Sequence, residues 1–147
     1  MTEEEQKVPM FVFYLGLLIV NAIAGILILA TDFGGFYYYT GSLYILNYVD
    51  LLNPIAAPFI LIAAVCFFYS VYFSIIKLLK KEEYLPPYNF NIGFSLSIVA
   101  LILVILGAIA VVIIGIDATE WWFDAGFYGG IIGGILNLLL YVLIKLQ

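Results

Sequence analysis

The sequence predicts an all-α integral membrane protein: a single domain over residues 1–147, built as a four-helix transmembrane bundle with both termini in the cytoplasm. Three observations predict it. Of the 147 residues, 66% are hydrophobic and only 10% charged, whereas soluble domains are near a quarter charged; the mean hydropathy is +1.19. The charges fall in clusters and leave four apolar runs, each meeting the roughly 20 residues that a bilayer core requires of a helix. The lysines are distributed unequally between the segments that join these runs.

The first span is placed at about residues 9–30. Pro9 suits a first helical turn, where its missing N–H costs nothing. The preceding MTEEEQKV is acidic, and the apolar run after it is too long for the core of a signal peptide, so this helix is read as retained. The second span, about 54–79, starts at Asn53-Pro54, a cap residue followed by Pro at the first helical position. Pro86-Pro87 forces an extended corner before the third span, about 90–116. The fourth span is placed at about 119–144, because Asp117 and Glu120 have the spacing of a capping box.

All five basic residues, Lys7, Lys77, Lys80, Lys81 and Lys145, lie in the N-terminal segment, near the 2–3 connection or at the C-terminus. With four spans these share one side, and the positive-inside rule makes that side cytoplasmic, in the cell membrane. Glu3, Glu4, Glu5, Glu82 and Glu83 offset them there. Asp32, Asp50, Asp117, Glu120 and Asp124 lie on the other side, so the net charge of −5 falls on the outer face. Such a face attracts cations and repels anions, and the effect weakens as salt rises.

The first outer loop reads TDFGGFYYYTGSLYILNYVDLLN, too apolar and aromatic for a solvated linker. Residues 42–52 are expected to form an interfacial helix, alone or after a short hairpin. Tyr37, Tyr38 and Tyr39, with Trp121 and Trp122 at the top of the fourth helix, are expected to sit at headgroup level. Lys77, Lys80 and Lys81 are expected to anchor the opposite level by extending their ammonium groups to water. Helices 1–2 and 3–4 show no internal repeat.

The stretch FYGGIIGGILN carries four of the chain's thirteen glycines inside an apolar helix. At 100° per residue, Gly126, Gly130 and Gly134 form one ridge; Gly129, Gly133 and Asn137 form its neighbour. In lipid, helices associate by close packing rather than by the hydrophobic effect, and small residues permit it. The face is therefore a helix-packing surface, within one subunit or between subunits. Gly16, Asn21, Ala24 and Gly25 in helix 1 are its expected mates.

Absent residue types exclude most chemistry. Histidine is missing, which removes the usual haem ligand and pH switch. Arginine is missing too, which rules out arginine-based voltage sensing. Cys66 is alone, so this chain holds no internal disulfide and no multi-cysteine metal site. No Asn-x-Ser/Thr sequon, nucleophile elbow, HExxH or phosphate-loop pattern occurs. No ionisable residue lies mid-span, where proton-coupled transporters place one. The neutral Asn21, Ser70, Ser74, Ser95, Ser97 and Asn137 are read as interhelical hydrogen-bonding groups. Asp117, Glu120 and Asp124 are the weak candidates for a divalent-cation site, against the simpler reading of helix capping. No cofactor and no nucleic-acid partner is expected. Residue usage hints at an AT-rich prokaryotic genome.

Four spans with a large first outer loop resemble the topological plan of claudins and tetraspanins. Claudins carry a W…W-x-x-C…C pattern in the first outer loop, and tetraspanins a cysteine-rich second one. Neither outer loop here has a cysteine, and the first has no tryptophan, so the chain is assigned to neither family. The expected function is that of a non-enzymatic structural or accessory subunit of a larger membrane assembly, in contact with lipids and other subunits. The alternatives are a homo-oligomeric cation-preferring channel and a lipid-binding or lipid-modifying protein.

Overall fold

The computed structural model describes residues 9–46 and 56–147. Four long helices dominate: α1 (Met10–Ala30), α2 (Ala56–Leu78), α3 (Asn89–Ile114) and α4 (Ala125–Leu146). All four are long and apolar enough to cross a membrane. They pack as a bundle in which α1 and α3 each lie between α2 and α4, while α2 and α4 barely touch. The Asn53-Pro54 start of the second span lies outside the described residues.

The bundle is not all-α. Three four-residue strands, β1 (Gly34–Tyr37), β2 (Leu43–Leu46) and β3 (Glu120–Phe123), form an antiparallel sheet in the order β2-β1-β3. Two expectations fall here. Residues 43–46 of the expected interfacial helix are strand β2, the second arm of a hairpin, and residues 47–52 lie outside the described residues. The fourth helix starts at Ala125 rather than Thr119, because Glu120–Phe123 pairs with β1 in the register Gly34↔Phe123 to Tyr37↔Glu120. An aromatic EWWF segment suits a pleated edge, and an isolated two-stranded hairpin needs a third strand or a helix to be stable. The cap of α4 is accordingly Asp124, whose carboxylate accepts from the Ala125 N–H at 2.8 Å. Asp117 and Glu120 do not cap it.

The hairpin turn is closed by the Gly41 N–H donating to the Tyr38 carbonyl at 2.9 Å, with Gly41 at φ +88°. That is left-handed backbone, which glycine adopts at no steric cost. Backbone bonds extend the β1–β3 pairing at both ends, Thr119 N–H to Tyr37 O at 2.8 Å and Asp124 N–H to Phe33 O at 3.1 Å, and Gly126 N–H of α4 donates to Asp32 O at 2.9 Å.

At the other end, α2 closes in a left-handed Lys80 (φ 57°), with Lys81 N–H reaching back to Ile76 O at 3.1 Å, the pattern of a Schellman stop. A single 3-10 turn, Glu82–Tyr84, follows. Lys77 pairs with Glu82 at 3.0 Å, and the Tyr72 hydroxyl donates to the Tyr84 carbonyl at 2.5 Å. Tyr88, left-handed at φ 60°, precedes α3.

Candidate functional site

The interior is two apolar clusters separated by a layer of polar side chains. The cluster nearer the sheet includes Ala24, Ile28, Phe33, Phe36, Phe67, Ala100 and Val104. The cluster at the far end is Phe13, Leu17, Phe73, Leu85, Tyr141 and Ile144. Between them every helix contributes one fully buried neutral polar residue: Asn21 from α1, Ser70 from α2, Ser97 from α3 and Asn137 from α4. Ser74 is buried one turn beyond Ser70.

The backbone satisfies most of these groups, because a helical Ser or Asn can reach a carbonyl three or four residues back. Asn21 Nδ2 donates to its own helix at Leu17 O, 2.7 Å away. Ser74 Oγ donates to Ser70 O at 2.7 Å, and Ser97 Oγ donates to Phe94 O at 2.7 Å. Two bonds made by residues of this layer cross between helices. Asn21 Nδ2 also donates to Asn137 Oδ1 at 3.0 Å, joining α1 to α4. The Tyr141 hydroxyl donates to Ser70 Oγ at 3.3 Å, joining α4 to α2.

The glycine face of α4 turns into this interior. A Cβ at Gly130 would lie 2.9 Å from both Ile28 Cδ1 and Val104 Cγ2, and at Gly134 it would lie 3.0 Å from Leu101 Cδ1. At Gly129 it would lie 2.7 Å from Leu27 Cβ, and at Gly133 it would collide with the Ala24 methyl. Gly130 thus meets both α1 and α3, Gly134 meets α3, and Gly129 and Gly133 meet α1. Gly126 abuts the Asp32 carbonyl at 2.8 Å, where α4 joins the sheet. Of the expected mates in α1, Gly16 lies against Leu140 of α4, Asn21 against Asn137 and Ala24 against Gly133, while Gly25 faces Phe68 of α2.

The void beside Phe33 and Val104 measures about 10 Å³. A larger apolar notch of about 490 Å³ opens sideways between α1 and α4, over Ala24, Gly129 and Gly133.

The expected anchor residues cluster on the sheet. Phe36 is buried and stacks on Tyr44 at 5.1 Å, with Tyr38 edge-on to both rings. Trp122 covers Gly35 so closely that a Cβ there would lie 2.6 Å from its ring. Tyr39 is 89% exposed at the turn, Trp121 46%. Trp121 and Trp122 stand on β3, not on the helix where the sequence pattern placed them. Lys77, Lys80, Lys81 and Lys145 lie at the opposite end. Asp117, Glu120 and Asp124 are not gathered: no group of three His, Cys, Asp or Glu side chains among the described residues could hold a metal ion.

The three-stranded sheet, with β3 as its third strand, was the feature sequence reasoning missed; Asn21 was expected to face the surface that carries Asn137, and the two amides do meet. The Gly-Gly-aromatic run before Tyr37 and the consecutive tryptophans were the available signals for strand pairing. Comparison with protein families, curated proteins and solved structures finds nothing that matches this chain.

Proposed function

We propose that this protein is a non-enzymatic multi-pass membrane protein that serves as a structural or accessory subunit of a larger membrane assembly. The observation that carries the reading is the closed, neutral interior. The polar layer is made of amides and hydroxyls, without an ionisable carboxyl or ammonium group, and it is hydrogen-bonded largely to helix backbone. Such a layer offers no nucleophile–base pair and no intramembrane charge to relay a proton. The work of the molecule then falls to its outer surface, the aromatic sheet and the flanks of the bundle. A conducting path would have to lie between copies rather than through one.

The lysine distribution supports an orientation with both termini in the cytoplasm and the sheet outside, in the cell membrane. The test is native mass spectrometry on protein taken from its own membranes in mild detergent. Unrelated chains at fixed stoichiometry are expected. A closed ring of identical chains, or a bare monomer, would overturn the accessory reading.

A further inference from the structure

Two fully buried polar atoms in the central layer have no hydrogen-bond partner among the described residues: Asn21 Oδ1, an acceptor, and Asn137 Nδ2, a donor. They belong to side chains already joined by the 3.0 Å bond from Asn21 Nδ2 to Asn137 Oδ1. Both residues are 0% exposed. An unmet amide donor or acceptor in such surroundings is costly, which is why buried polar groups are almost always paired. Turning either amide end for end does not help. It would set N–H against N–H, or carbonyl against carbonyl, across the existing contact. The Asn21 amide is also pinned by its 2.7 Å bond to Leu17 O, which resists rotation into a reciprocal amide pair.

We infer that the bundle binds one internal water molecule at this point, accepting from Asn137 Nδ2 and donating to Asn21 Oδ1. A buried water needs two to four polar partners. Asn137 Nδ2 and Asn21 Oδ1 supply the two polar partners, so the site is a link between α1 and α4. It is independent of the accessory-subunit reading, since it concerns the interior of a single chain.

The test is proton-detected solid-state NMR on the full chain in lipid bilayers, with asparagine labelled in its side-chain amide. A through-space cross peak from the Asn137 side-chain N–H to water is expected, without the fast exchange that marks bulk contact. It should vanish in Asn21→Leu and persist in Ser74→Ala, which leaves both amides in place. A wild-type Asn137 amide with no water contact, and instead a second contact to Asn21 Oδ1, would overturn the site without recourse to any variant. So would a water peak that survives Asn21→Leu.

Discussion

At the residue scale, individual side chains of this protein are decided by what lies within one helix diameter. Gly133 is the clearest case, since the methyl of Ala24 occupies the place its own Cβ would take. Gly133→Leu should destabilise the bundle by about 3 kcal/mol or more, the upper end of overpacking costs, read as a lower midpoint in denaturing-detergent titration. An unchanged midpoint would mean that α1 and α4 do not pack as described. The Asn21–Asn137 contact calls for a double-mutant cycle with leucine at both positions. The coupling should be about 0.5–1.5 kcal/mol, in keeping with interhelical hydrogen bonds in membranes. Tyr88, left-handed at φ 60° and 79% exposed, carries backbone strain without evident packing in return. Tyr88→Gly should stabilise the protein by about 1 kcal/mol, seen as a raised melting temperature.

At the scale of elements, the start of α4 and the sheet are one cooperative unit. Asp124 caps the helix with its side chain, while its backbone N–H extends the sheet to Phe33. Asp124→Ala should therefore cost about 1 kcal/mol in stability, the usual value for a lost N-cap, and the loss should be accompanied by faster amide exchange across β3. Faster exchange confined to the first turn of α4 would show that strand and helix are uncoupled. Four long apolar helices and their order were legible in the sequence, as were Gly16, Asn21 and Ala24 as mates of the glycine face. The three-stranded sheet was not, although a short hairpin was one of two expectations for the first connection. Four residues are too few to show alternation, and EWWF beside a capping-box pattern reads as readily as the entry to a helix. What overrode that pattern is β1, more than eighty residues away in sequence, whose free edge β3 completes.

At the scale of the whole molecule, lysines gather at one end and the aromatic sheet at the other. The orientation proposed from this asymmetry is open to a direct check. In a Cys66→Ala background, Thr40→Cys at the hairpin turn should react with a membrane-impermeant maleimide on intact cells. Lys81→Cys should react only after permeabilisation. The reverse pattern would place the termini outside.

The sequence by itself determined that this chain makes four apolar helices and carries no histidine, arginine or paired-cysteine chemistry. Those properties are sums over single residues: desolvation of apolar side chains, helical hydrogen bonding and the presence or absence of a functional group. Only the tertiary structure decided where α4 begins, that a sheet closes one end, and which amide Asn137 meets. Each of these is settled by groups remote in sequence. A strand edge is satisfied only when its partner arrives, and a glycine face selects a neighbour only when that neighbour's side chains fit against it. Local pattern carries no record of either event.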